Sequence, residues 1–226
     1  MLPRYPALLL ALTATPVFAQ GGGRGRIIDE GTFSVTVAGV QRTENFRITR
    51  DDNGLITATG QVLAGSEQVT SSLTADSLGT PIKYEIGVRN GTSQTLRVAV
   101  NVFSGRMTAL SYDQRGDQSM REYHVPAGRC FIVDDDLVHQ LYFVAASKHT
   151  GPLEIVSPAA SHVVRPVLTA IGREPISIGG RSLTAERYSL ADGQSRRDFW
   201  VDPQGRLLRV EIPSRQLVAV REEPPK

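Results

Sequence analysis

Short runs of alternating apolar and polar residues constrain the fold of this chain more than any other feature. Phe33, Val35 and Val37 alternate with hydroxyl residues, and the same period of two recurs over 82–88 and 96–102. Period two with one wet face is typical of an antiparallel sheet that is half buried. Asn90-Gly91 and Ser104-Gly105 lie between such runs, where tight hairpins need residues that tolerate positive φ. The sequence therefore predicts a mainly β protein.

A second repeated feature is the sequence Asp-x-x-Gly, which occurs at Asp51–Gly54, Asp76–Gly79, Asp113–Gly116 and Asp202–Gly205. An Asp side chain accepts hydrogen bonds from the backbone at the head of a turn, and Gly takes its strained last position. Four copies of one device indicate reused hairpin turns rather than one site. We therefore interpret the conspicuous stretch FWVDPQGRLLRVEIP (199–213) as two strands joined by a turn.

One segment departs from the strand pattern. Acids at 134–136 precede an apolar run and are followed by Lys148, Gly151 and Pro152, which are helix start and stop signals. The sequence predicts one buried helix near 134–147, inside a strongly curved antiparallel sheet that forms an open or half barrel. The domain spans 27–226, and residues 147–161 are the place for a seam if the chain has two lobes. Pro166 or the C-terminal strand would mark a sheet edge.

The first residues predict export. Arg4, the apolar run 7–14 and the small residues before Ala19 form a signal peptide over 1–19, and Gly and Arg fill a flexible leader over 20–26. The protein is expected in the periplasm or secreted after cleavage at Ala19, soluble and without a transmembrane segment. The formal net charge of +2 gives no electrostatic case for a nucleic acid or for an anionic membrane. Cys130 is the only cysteine, so it is expected to be a buried thiol.

The sequence does not predict a catalytic or metal centre. Asp136 and His139 stand three apart on the predicted helix, but two ligands do not make a metal site, and acids there are explained by helix capping. No nucleophile with a neighbouring base is recognisable. The one acid–base neighbourhood is the stretch Asp113–His124. We expect no cofactor and no metal, and keep an exported hydrolase only as a further alternative.

The combination of signal peptide, many strands and one buried mid-chain helix resembles the periplasmic lipoprotein-carrier type of open β-barrel. The tail over 183–211 also resembles uncharacterised exported bacterial families. The excess of alternating strands over helix predicts an apolar cleft that one helix does not cover, so the leading hypothesis is a monomer that holds an apolar ligand, an acyl chain or a lipoprotein in a half-barrel cleft. The residues expected to line that cleft are Leu137, Leu141, Tyr142, Phe143 and Trp200. The alternative is an interaction scaffold that pairs a sheet edge with another envelope protein.

Overall fold

The computed structural model describes residues 25–126 and 128–226. The predicted signal peptide, its cleavage site at Ala19 and leader residues 20–24 lie outside the described residues. The first strand begins at Arg26. Within the described part of the chain, no helix has the length and apolar character needed to cross a bilayer.

Seventeen strands are described. Before the helix they are β1 Arg26–Val37, β2 Val40–Arg50, β3 Ile56–Ala64, β4 Glu67–Ala75, β5 Pro81–Asn90, β6 Ser93–Phe103, β7 Arg106–Asp113, β8 Gln118–His124 and β9 Cys130–Ile132. After the helix they are β10 Gly151–Pro152, β11 Glu154–Ser157, β12 His162–Val164, β13 Val167–Ile178, β14 Arg181–Ala191, β15 Arg196–Val201, β16 Leu207–Ile212 and β17 Leu217–Arg221.

Fourteen of these strands form one antiparallel sheet, which confirms the predicted fold class. Its order is β10-β13-β14-β15-β16-β17-β1-β2-β3-β4-β5-β6-β7-β8, and the sheet does not close. The C-terminal strand was expected at an edge, and that is wrong, because β17 pairs with β16 on one side and β1 on the other. The edges are β8 and the β10–β13 side, which begins next to Pro166. Strands from both sides of 147–161 belong to this one sheet.

A single sheet face buries most of the core. Along β2 the exposure alternates, with Phe46 and Ile48 buried and Asn45 and Arg47 exposed, and the other central strands follow the same rule. We call the buried face the inner face. Register shifts interrupt five of the strand pairs, and such bulges bend and twist a sheet.

The inner face is filled by the segment between β8 and β13, which we call the plug (residues 130–164). It contains a small three-stranded sheet in the order β12-β11-β9, a 3₁₀ turn over Val138–Gln140 and the helix α1 over Leu141–Ala146. The predicted buried helix is confirmed but shorter, because residues 134–137 are not helical. Asp134 makes side-chain contacts to other elements instead of capping the helix.

All four Asp-x-x-Gly segments are hairpin turns, as predicted. In each, Oδ1 of the Asp accepts from the backbone N–H groups two and four residues ahead, at 2.8–3.0 Å. Each Gly has φ of +82° or +83°. The antiparallel order puts the β2–β3, β4–β5, β6–β7, β13–β14 and β15–β16 turns at the end where β1 begins, which we call the lower end.

Candidate functional site

A buried carboxylate joins the plug to the sheet. Glu44 lies on the inner face of β2 and is 0 % exposed. Its two oxygens accept from the backbone N–H groups of Val138 and His139, at 2.9 and 2.8 Å, and from the His139 ring N–H at 2.6 Å. Glu44 therefore caps the start of the 3₁₀ turn, which is the role that the sequence had suggested for the acids at 134–136.

The His139 ring occupies a space that the sheet leaves open. It stacks on Phe46, with 6.4 Å between ring centroids and 7° between planes, and it covers Gly60 of β3. Phe46 in turn stacks on Phe33 at 5.1 Å and has the guanidinium of Arg221 over it at 5.3 Å. This column of rings fixes the plug against β1–β3.

A second buried carboxylate fixes the plug to β5. Asp134 accepts from the Tyr84 hydroxyl at 2.5 Å, from the Ser157 hydroxyl and from the backbone N–H of Ala159 at 3.2 Å. Burial raises the pKa of Asp134 even though these donors act to lower it. Burial, together with the nearby charge of Asp134, raises the pKa of Tyr84 well above its ordinary value. The group is closed to solvent and therefore structural.

The other two acids of the run hold the plug at the upper end. Asp135 pairs with Arg197 at 2.6 Å, and Asp136 pairs with Arg215 at 2.9 Å and with Arg42 at 3.4 Å. His139 turns to Glu44, so Asp136 and His139 do not converge. No cluster of three or more metal-binding side chains occurs in the described residues.

The other candidates for chemistry also have structural roles. Cys130 is fully buried, and burial raises the pKa of its thiol to about 12, so it is protonated at neutral pH. Asp113 accepts from the backbone of Arg115 and Asp117 in its turn. His124 lies exposed at the other end of β8.

The predicted ligand residues fall into two separate groups. Leu137, Leu141, Tyr142 and Phe143 all belong to the plug and are at most 5 % exposed. They form part of the main core, in contact with the inner face of the sheet. Burial raises the pKa of Tyr142, while the charges of Arg50 and Asp29 act on it in opposite directions.

Trp200 does not join that group. It lies on the outer face in a small cluster with Ile178, Ala185 and Leu208. The guanidinium groups of Arg187 and Arg209, its partners on the two adjacent strands, lie 5.0 and 5.4 Å from the ring centroid. Its indole N–H donates to Glu174. Trp200 covers the outer face of the sheet and is 5 % exposed.

A cleft of about 780 Å³ lies across the middle of β1–β3 and along the tail that follows β17, and sequence reasoning missed it. It crosses the first three strands at the row Gly31, Phe46 and Gly60, and the C-terminal residues 222–226 form its other wall. Polar side chains of the outer face line both sides of this row. These side chains are Glu30, Arg47 and Thr59 on one side and Thr32, Asn45 and Gln61 on the other.

Apolar and charged groups meet in this cleft. Ile27, which is 48 % exposed, lines it together with Ile28 and Pro224. Arg206 and Lys226 add positive charge, and the acids Glu222 and Glu223 add negative charge. The cleft therefore suits a ligand that has both an apolar part and a polar head.

A buried ion pair forms the inner wall of the cleft. Arg221 donates to both oxygens of Asp29, at 2.9 and 2.8 Å, and each side chain is 3 % exposed. Arg221 also donates to the backbone carbonyls of Glu223 at 3.1 Å, Leu207 at 3.4 Å and Glu30 at 2.5 Å. A guanidinium has five N–H groups, so this residue is fully engaged in joining β17, β1 and the tail.

Comparison with known proteins supports the fold and goes no further. No family model matches the chain, and no curated protein matches it. A solved structure that matches is a β-barrel-like protein of a domain of unknown function, DUF1849, from Brucella abortus. The identity is 8 %, the TM-score is 0.56, and the alignment covers 88 % of this chain and 98 % of that one. The likeness to an uncharacterised bacterial β-barrel-like protein is thus supported at the level of fold.

Proposed function

We propose that this protein is an exported envelope protein that binds an amphipathic lipid in the cleft across β1–β3. The acyl chain contacts Ile27, Ile28 and Pro224, and the polar head meets the charged residues of the tail. The observation that carries the proposal is an open, partly apolar cleft of about 780 Å³ in a protein whose inner face is otherwise filled. Small-molecule sites occupy roughly 300–1,000 Å³.

The plug fills the inner face of the sheet, so we place the ligand in the cleft. Leu137, Leu141 and Phe143 are each 1 % exposed, so a ligand would reach them only if the plug left the sheet. Ion pairs and two buried carboxylates oppose that movement. His139 is the plug residue that contacts the cleft wall, because its ring covers Gly60 and stacks on Phe46, and Glu44 holds it there.

A fluorescence titration tests this proposal. Protein recovered from the envelope of an expressing cell is titrated with an 11-carbon fatty acid that carries a dansyl group. A saturable rise in dansyl emission with one site per protein is expected. The variant Thr59→Trp places a large ring on the wall of the cleft and should weaken binding by about tenfold, which is about 1.4 kcal/mol.

The matched control is Thr169→Trp, which adds the same ring to an exposed strand position remote from the cleft. It should bind the probe like the unmodified protein. The proposal is rejected if no saturable emission is seen and native mass spectra contain no lipid. It is also rejected if both variants bind equally well.

Export is part of the proposal and has its own test. The mass of the protein recovered from the periplasm or the medium should correspond to a chain that begins at Gln20, as the signal sequence predicts. Recovery of the intact chain in the cytoplasm alone would contradict it.

A second candidate function is edge-strand pairing with another protein at β8. Asp113 N–H donates to Asp117, and Val125 N–H donates to Gly105. Since these bonds bracket the β7–β8 ladder, alternation leaves the backbone groups of Gln118, Met120, Glu122 and His124 facing away from β7. An edge of this kind accepts a partner strand.

Met120→Pro tests this candidate, because it removes an N–H that β7 does not use. A stoichiometric protein captured from envelope extract by the unmodified chain and lost with Met120→Pro would favour edge pairing. Equal capture by both, or no protein captured, would exclude it.

A further inference from the structure

Large apolar side chains are exposed to solvent at or beside the turns of the lower end. Phe103, at the end of β6, is 83 % exposed, and Leu78, in the β4–β5 turn, is 63 % exposed. Ile82, at the start of β5, is 38 % exposed. Large apolar side chains that are exposed at hairpin turns do not stabilise the fold, and a group of them indicates an interaction surface.

Sheet order brings these tips together. The β4–β5 and β6–β7 turns lie at the same end and are separated only by the adjacent strands β5 and β6. Since neighbouring strands lie about 4.8 Å apart, the centres of the two turns lie about 10 Å apart. Leu78 and Phe103 therefore lie at neighbouring turns of the same end. Ile27, which lines the cleft, lies at the start of β1, at this end.

Three bases lie beside these tips, and one of them is paired with an acid. Arg106, the cross-strand partner of Phe103, is exposed and has no ion-pair partner within 25–126 and 128–226. Lys83 is exposed and pairs with Glu85 at 2.9 Å. Arg129 is exposed in the loop that follows the backbone bond between Val125 and Gly105. The one acid in the two turns, Asp76, is occupied by backbone N–H groups.

We infer that this lower surface, formed by Leu78, Phe103 and the bases Arg106, Lys83 and Arg129, docks on an anionic lipid bilayer. The two apolar tips enter the boundary between headgroups and acyl chains, and the bases lie at the level of the phosphates. The inference extends the proposed lipid binding, but it depends on different residues.

Vesicle sedimentation tests the inference. Protein is recovered from the cell envelope and mixed with vesicles of phosphatidylethanolamine and phosphatidylglycerol. All variants are checked to begin at the same N-terminal residue. The unmodified protein should sediment with them. Leu78→Ser combined with Phe103→Ser should reduce the partition coefficient by about 100-fold, because each large apolar side chain contributes about a factor of ten or more. Arg106→Glu should weaken binding, with a larger effect at low salt.

The matched control makes the same changes at the upper end. Val40, 58 % exposed, and Leu63, 44 % exposed, lie there, so Val40→Ser with Leu63→Ser should leave vesicle binding unchanged. All the substituted side chains are exposed, so the fold should survive, and circular dichroism checks this.

The inference is overturned if the unmodified protein stays in solution, or if both double variants lose binding equally. It is also overturned if the unmodified protein binds another protein through Phe103 and does not bind vesicles. The dansyl titration is done without vesicles, so a failure of docking and a failure of the cleft are distinguished.

Discussion

The imidazole of His139 occupies the volume that a side chain at Gly60 would need. A Cβ atom on Gly60 would overlap the ring, and even Nε2 would lie 2.9 Å from it. Gly60 lies inside a strand and has no positive φ, so turn geometry does not explain it. The plug and β3 therefore fit each other at one residue pair, which Glu44 holds in place from β2.

Gly60→Ala should destabilise the protein by about 1–3 kcal/mol, because the added methyl group displaces the ring from a filled core. Urea unfolding measures the free energy of unfolding. In a His139→Ala background, Gly60→Ala should lower the free energy of unfolding by less, since the ring is then absent.

Gly87→Ala is the matched control for that substitution. It also lies inside a strand, but its Cβ would meet only the Thr70 hydroxyl at 3.5 Å, an ordinary contact. It should be close to neutral. Equal losses at Gly60 and Gly87 would show that the ring contact is unimportant.

Glu44→Ala should cost about 3–5 kcal/mol, because it leaves two backbone N–H groups and the His139 ring N–H buried without their acceptor. Glu44→Gln keeps one acceptor oxygen and should cost less. Urea unfolding and hydrogen exchange at Val138 and His139 check both. A Glu44→Ala variant as stable as the unmodified protein would contradict the capping role.

The pH dependence of stability should contain a contribution from Asp134. Because its pKa is raised in the folded state, the fold binds this proton more tightly than the unfolded chain does. This contribution is fully present below the unfolded pKa of about 3.9 and is lost as the pH rises through the raised folded pKa.

Asp134→Asn removes this titration. The difference in the free energy of unfolding, unmodified minus variant, should therefore fall as the pH rises from 4. Urea unfolding at a series of pH values measures it. A difference that rises with pH would contradict the account.

The residues that follow local rules were predictable from the sequence. The alternation around Phe33 and the four Asp-x-x-Gly turns depend on neighbours in the chain, and the structure has the expected strands and turns there. The buried helix was predicted from its apolar run, but its start was misplaced. Acids before an apolar run indicate a cap, whereas here they bind distant arginines.

The contacts of Glu44 with the plug could not be predicted, because 94 and 95 positions separate the bonded residues. Two signals were nevertheless present in the sequence. Glu44 shares the inner face of β2 with Phe46 and Ile48, so a charge on an apolar face marked a buried partner. Gly60 interrupts the apolar face of β3 between Ala58 and Val62, and thereby marked a close approach.

The surroundings of Trp200 could be predicted only in part. Alternation places it on the face opposite Phe199, as the structure has it, but the outer face has a small core of its own. The hairpin of β13 and β14 extends past the end of its pairing with β15 and carries Ile178 to that core. How far one hairpin extends beyond the neighbouring strand depends on the whole sheet, so the residues near Trp200 in the sequence do not indicate it.

The central claim is that ligand binds in the cleft and not in place of the plug. Hydrogen–deuterium exchange with and without the dansyl fatty acid tests it most directly. We expect added protection at 26–32, 45–47, 59–61 and 222–226, and no change in the plug helix. Protection confined to 137–143, or no protection at all, would contradict the claim.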